Sequence, residues 1–179
     1  VEIARNEERA GGAANVAVNL AALGATVGLV GLVGRDANAD ILARLLSGSG
    51  VQCNLVVSED EPTIVKLRVL SRNQQLIRLD MEKPFTRDHA GAIAAAARQD
   101  LAQADVLILS DYGKNTLSDL AGLIALAEGR PVLVDPKGTD FSRYFGVTVL
   151  KPNRAEFEAV VGKCADENEL VTRGKALVR

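Results

Sequence analysis

From Asp105 onward the chain repeats one pattern: a short aliphatic run ends in a polar residue, and a helical stretch follows. "DVLILSD" ends at Asp111, "PVLVDPKG" has its polar end at Asp135, and "VTVLKPN" ends near Asn153. "LSDLAGLIALAEG" lies between the first two, stopped by Gly129. "RAEFEAVVG" follows the third, with Phe157, Val160 and Val161 as its apolar side. Short continuous apolar runs suit strands buried on both faces, and crossover helices are what cover both faces of a sheet. The order therefore predicts βαβαβ and a parallel sheet, an α/β fold. In such a sheet ligands bind beyond the carboxyl ends of the strands. Residues at those ends are the first candidates for function.

The first half of the chain carries the same elements with an insertion. "NVAVNLAAL" reads as a helix, and "TVGLVGLVG" (Thr26 to Gly34) as a buried strand. "ADILARLLSGSG" reads as a second helix with Ile41, Leu42, Leu45 and Leu46 on one face. Then the period changes to two. "TIVKLRVLS" and "QLIRLDM" alternate on either side of the polar turn "RNQ", which predicts a β-hairpin. Val65, Leu67 and Val69 share one face, with Ile77 and Leu79 on the return strand. Lys66, Arg68, Arg78 and Asp80 share the other. A strand pair with one apolar and one charged face does not belong in the middle of a parallel sheet, so this is a separate small sheet, taken to span about 54–81. The helical pattern resumes in "DHAGAIAAAARQDLAQ", where Asp88 is the expected N-cap. A last helix starts in "DENELVTRGKALVR".

Bulk properties exclude several classes. The 179 residues suffice for one domain with a sizeable core, and the net charge of −2 leaves no footprint for nucleic acid or an acidic membrane. His89 is the only histidine, so a histidine-based zinc site is excluded. Cys53 and Cys164 stand apart with no C-x-x-C spacing, as free thiols of a reducing, cytoplasmic compartment would. No apolar run approaches the ~18 residues of a membrane span.

The strand ends supply Asp111 and Lys114, then Asp135, Lys137 and Gly138, then Lys151, Asn153 and Glu156. Carboxylates and lysines gathered at one edge suit a phosphate or a magnesium nucleotide. Taken singly, each has a plainer alternative, such as capping the next helix. On the hairpin, Lys66, Arg68 and Arg78, with Arg72 near the turn, would favour a phosphorylated ligand, or would form a solvated face partly offset by Asp80. "GGAAN" opens a helix. Gly11 and Gly12 allow close backbone approach, and Asn15 can donate and accept, which suits a sugar hydroxyl. A tight turn before an alanine-packed helix explains the same residues.

"GGAANVAVNLAALG" followed by "LVGLVGRD" resembles the first signature of the ribokinase-like (PfkB) carbohydrate kinases, and "SDYGK", "DPKGTDF" and "KPNRAEFEAVVG" are similar to that family's middle segments in their order. The resemblance covers essentially the whole chain. It implies a three-layer α/β/α sandwich with a mostly parallel central sheet and a small β-sheet lid over the sugar. The long blocks "TIVKLRVLSRNQQLIRLDMEKPF" and "VDPKGTDFSRYFG" resemble the branch of the family that acts on a heptose 7-phosphate, often fused to a heptose-1-phosphate nucleotidyltransferase. That branch implies transfer of the γ-phosphate of magnesium ATP to O1 of D-glycero-β-D-manno-heptose 7-phosphate, a step toward ADP-heptose and the lipopolysaccharide core.

Carried over residue by residue, Gly11, Gly12 and Asn15 match the sugar-contacting motif. Asn153, Arg154, Ala155 and Glu156 match the N-x-x-E motif that handles magnesium and nucleotide phosphates, with Glu156 on the metal side. Asp135 and Lys137 match the strand end beside it. Asp111 is carried as a sugar-side residue. Lys66, Arg68, Arg72 and Arg78 become candidates for the 7-phosphate. The resemblance also implies a homodimer formed through the lids. The family's catalytic aspartate, in a late G-A-G-D motif, and its first strand have no counterpart here. The chain is therefore expected to be an incomplete kinase domain, inactive alone. The rival readings are another sugar kinase of the family and a non-catalytic sugar-phosphate-binding module. A nicotinamide dehydrogenase would need G-x-G-x-x-G, whereas Gly28, Gly31 and Gly34 are spaced G-x-x-G-x-x-G.

Overall fold

A computed structural model describes residues 3–72 and 74–178. Helix α1 (Gly12–Ala22) leads into strand β1 (Gly28–Gly34), and Asp36 then caps α2 (Ala37–Gly48) by accepting the Ala39 amide at 3.0 Å. Helix α2 returns the chain to β2 (Gln52–Ser58), which runs parallel to β1 from Gly28 opposite Gln52 to Gly34 opposite Ser58. Residues 54–58 thus belong to the parallel layer, which corrects the expected hairpin span of 54–81: the hairpin begins only at Val65. "CNLVV" is a continuous apolar-rich run behind a crossover helix, which is the pattern of a parallel strand.

The hairpin itself comprises β3 (Val65–Ser71) and β4 (Gln74–Met81), antiparallel, with Leu67 opposite Leu79 and Arg68 opposite Arg78. Asn73 of its turn lies outside the described residues. The expected division of faces holds through Val69 and Ile77, after which a register shift intervenes. Both faces are open. Leu67 and Leu79 are 44% and 47% exposed, although the alternation alone would have let one face be covered.

After the hairpin, α3 (Ala90–Leu101) precedes β5 (Leu107–Ser110), α4 (Leu120–Leu126) and β6 (Val132–Asp135). A 3-10 turn, Phe141–Tyr144, leads to the short β7 (Val149–Leu150), then α5 (Arg154–Val161) and α6 (Glu167–Leu177). Strands β5, β6 and β7 pair in parallel in that order. The observed architecture is α/β, with parallel strands, helices between them and a separate antiparallel pair. Asp88 does not cap α3 as expected. Its carboxylate accepts the Ala90 amide, and His89 occupies the cap position without a side-chain bond. Strand β7 ends at Leu150, short of Asn153.

The main core packs Ile93, Ala97 and Leu101 of α3 and Leu120 and Leu123 of α4 against Leu109, Val132 and Val134 of the sheet. Each fully buried Leu or Val contributes about 1.5–3 kcal/mol of transfer free energy. Alanines on α3 let the helix approach its neighbours closely. A second cluster joins Ala14 and Ala17 of α1 to Leu46 and Val51. The small residues of "GGAANVAVNLAALG" thus do the packing that the plainer reading assigned them. Cys53 is partly buried, Cys164 is buried, and both are free thiols. No described helix is long and apolar enough to cross a membrane.

Candidate active site

The carboxyl ends of β5, β6 and β7 converge as their parallel pairing requires. Lys151 reaches back from β7 to Asp135 at the end of β6, Nζ to Oδ1 2.8 Å, and this carboxylate raises the lysine's pKa. Lys137 Nζ lies 3.5 Å from Glu156 Oε1. Asn153 and Glu156 form a capping box at the start of α5. The Asn153 side chain accepts the Glu156 amide at 2.9 Å, and Glu156 Oε2 accepts the Asn153 amide at 3.0 Å. The N-x-x-E spacing therefore has a local structural cause. It leaves Glu156 Oε1 with only the long lysine contact. Arg154 turns away, bonded to Glu158 Oε1 at 2.8 Å and to the Cys164 carbonyl at 3.1 Å, while Ala155 is exposed.

Asp111 stands just past β5 and is 7% exposed. It does not cap the next helix, a task that falls to Asp119. Its Oδ1 accepts the Gly113 amide at 2.8 Å, and its Oδ2 accepts the Tyr144 hydroxyl at 2.8 Å. Arg143 Nη1 lies 3.8 Å from the same Oδ2. With Gly113, Asn115, Leu117 and Arg143, Asp111 lines a cavity of about 170 Å³.

The di-glycine meets this edge. Gly11 is the N-cap of α1 and lies in extended backbone, and Gly12 takes φ +54°. A side chain on Gly12 would stand 3.6 Å from the Tyr112 ring. The left-handed φ is the stronger reason for glycine there. Asn15 is exposed one turn on, and among the described residues its side-chain amide has no hydrogen bond. The structure thus brings Gly12 to the loop after β5.

The hairpin cations are placed differently. Arg78 Nη2 bonds Asp80 Oδ2 at 2.9 Å, and Lys66 lies 3.8 Å from Asp80 and 3.5 Å from Glu82. Arg68 faces Arg78 directly and has no ion pair among the described residues. Arg72 sits in the turn at φ +48°. Lys114, expected at the strand edge, instead contacts Glu82 at 3.0 Å and holds that carboxyl below its usual range. Two residues at this edge escaped the sequence reading, Tyr112 and Tyr144. They are the only tyrosines in the chain. That scarcity was the one available signal.

The sequence matches the family described as "pfkB family carbohydrate kinase" over residues 1–179. It is 55% identical over 181 residues to the "Bifunctional protein HldE" of Aeromonas salmonicida, covering 100% of this chain and 38% of that protein. The protein of the same description from Pseudomonas aeruginosa strain LESB58 is 52% identical over 180 residues, with 99% and 38% covered. The chain therefore spans 38% of the length of these relatives. Among solved structures, phosphofructokinase-2 from Escherichia coli superposes with a TM-score of 0.71 at 20% identity, over 99% of this chain and 64% of that one. A PfkB protein from Polaromonas sp. JS666 gives 0.72 at 21% identity, over 93% and 63%. Both share the ribokinase-like fold with this chain, the first along nearly its whole length. The chain belongs to the pfkB family of carbohydrate kinases.

Proposed function

We propose that this chain is part of a kinase that transfers the γ-phosphate of ATP to O1 of D-glycero-β-D-manno-heptose 7-phosphate, giving the 1,7-bisphosphate for ADP-heptose and lipopolysaccharide core synthesis. Full-chain identity of 50–55% to proteins described as bifunctional HldE supports the heptose assignment. The observation that carries a phosphorylated acceptor is the pairing of Arg68 with Arg78 across the hairpin. Like charges directly opposite destabilise a strand pair. A phosphate between them would turn that cost into two charge-assisted contacts. Lys66 and Arg72 are further candidates on the same lid.

On this reading the sugar ring lies over Gly11 and Gly12, where backbone amides approach it and Asn15 reads its hydroxyls. The nucleotide phosphates lie over the ends of β6 and β7. Lys137 and Lys151 offset their charge, and Asp135 orients Lys151. The start of α5, from Asn153 through Arg154 and Ala155 to Glu156, faces them. The donor set fits magnesium held largely by phosphates and water: Glu156 keeps one oxygen without a hydrogen-bonding amide, and no cluster of three or more metal-ligating side chains occurs among the described residues. Bound magnesium neutralises charge on the transferring phosphoryl group. We extend the reading to a cytoplasmic homodimer in which the apolar lid faces of two chains meet.

The test is ATP consumption with heptose 7-phosphate, ribose and fructose 1-phosphate in parallel. It is run on this chain and on a protein carrying it at the length of its relatives. Activity confined to the longer protein and to heptose 7-phosphate supports the reading. Preference for another sugar overturns the substrate. In the active protein, Arg68→Ala with Arg78→Ala raises the sugar-phosphate KM about tenfold or more, the scale of a lost charged hydrogen bond, and leaves the KM for ATP near its original value. An unchanged sugar-phosphate KM removes the lid from phosphate binding.

A further inference from the structure

We infer that Tyr144 is a positioning residue for phosphoryl transfer: its phenol ties Asp111, past β5, to the main chain at Lys137, past β6, and so sets the spacing between the sugar side and the nucleotide side of the site. This rests on the kinase reading of that edge. Tyr144 closes the 3-10 turn and is 2% exposed, with its ring in the main core. Its hydroxyl lies 2.8 Å from Asp111 Oδ2, 3.0 Å from the Lys137 amide nitrogen and 3.1 Å from the Lys137 carbonyl.

A phenol has one proton to donate and lone pairs with which to accept. The carboxylate is the stronger acceptor, so the proton goes to Asp111 Oδ2 and the oxygen accepts from the Lys137 N–H. The carbonyl at 3.1 Å is then a neighbour with no proton of its own to receive. Burial pushes the Tyr144 phenol above its ordinary range. The nearby Asp111 carboxylate adds to the shift, while the Lys137 amide and Arg143 oppose it. Arg143 stands 5.9 Å from the ring centre and 3.8 Å from Asp111 Oδ2, so the carboxylate keeps a cation beside it.

Both consequences reach the site. On one side, Asp111 is held by Tyr144 and by the Gly113 amide, with Gly113 at φ +65°, and the turn so fixed presents Tyr112 to Gly12. On the other, the anchored Lys137 backbone carries the side chain that approaches Glu156. A rigid core turn thereby couples two loops that otherwise end on separate strands.

The experiment is a double-variant cycle in the protein at the length of its relatives. Tyr144→Phe keeps the ring and removes the bridge. It is expected to lower kcat/KM about tenfold, the scale of one buried charge-assisted hydrogen bond. If the phenol acts through the carboxylate, Tyr144→Phe adds no further loss to Asp111→Ala, which removes the acceptor. Losses that multiply, or a Tyr144→Phe enzyme within about twofold of the original, overturn the inference. A second readout needs no turnover. The phenolate absorbance step that Tyr144→Phe removes should move to lower pH in Asp111→Asn, because the carboxylate charge beside the phenol is gone. An unmoved step also overturns the inference. Activity on a different sugar would defeat only the heptose reading, since the cycle runs on whichever acceptor is phosphorylated and the absorbance step is independent of it.

Discussion

Glu61 is a buried carboxylate with no cation against it. Its acceptors are filled by neutral donors: the Ser58 hydroxyl at 2.5 Å, the Thr86 hydroxyl at 2.5 Å and the Thr86 amide at 2.9 Å. The Ser58 hydroxyl first, then those of Thr86, hold its pKa at about 2. Because these donors come from just before and just after the hairpin, Glu61 fastens the lid's two legs together. Gly34 is needed beside it, since a side chain there would meet the Glu61 carbonyl and the Thr63 nitrogen at 2.6 Å. The folded-state pKa is depressed, so the stabilisation is present above the unfolded carboxyl value and is lost as pH falls through about 2. Glu61→Gln should therefore lower the urea midpoint near neutral pH, and the gap from the original should close toward pH 2. A gap that persists unchanged in acid would show that the carboxylate's charge does not contribute. None of this was legible in "SEDEPT", because three acidic residues in a loop look alike until one is buried.

The lid is tied to the loop after β5 by two contacts, Lys114 to Glu82 at 3.0 Å and the Asn115 side-chain amide to the Phe85 carbonyl at 2.8 Å. Asn115 sits at φ +68°, so glycine keeps its backbone at little cost while removing the amide. On the proposed kinase reading, in the protein at the length of its relatives, Asn115→Gly should raise the sugar-phosphate KM severalfold with the KM for ATP little changed, and should speed amide exchange in β3 and β4. Equal effects on both substrates would mean that the loop serves the whole site instead of coupling it to the lid. The hairpin was readable because a period of two is written in "VKLRV" and "LIRLD". Strand β2 was not, because a short apolar-rich run takes its partner from the crossover before it. The 3-10 turn carrying Tyr144 was also unreadable, since it has no hydrophobic period.

At the scale of the whole molecule, the exposed apolar face of the hairpin is a departure from a self-sufficient fold. Leu67, Val69, Ile77, Leu79 and Met81 are each between 41% and 54% exposed on a two-stranded sheet. Such a pair is marginal in water without cover. In the protein at the length of its relatives, Leu67→Lys with Leu79→Lys should shift sedimentation from dimer to monomer. A protein that is monomeric before substitution would rule out the lid dimer.

The sequence by itself determined the α/β class, the hairpin, the division of its faces and the edge where the polar residues gather, because hydrophobic period and strand-end chemistry are local properties. Tertiary structure alone decided which of those polar groups are spent inside the protein. Asp111 is held by Tyr144, and Lys114 is drawn to Glu82 beyond the hairpin. These choices depend on partners brought in by chain crossings and turns, of which local pattern carries no record, whereas the Arg154–Glu158 pair and the Glu156 cap are local to α5.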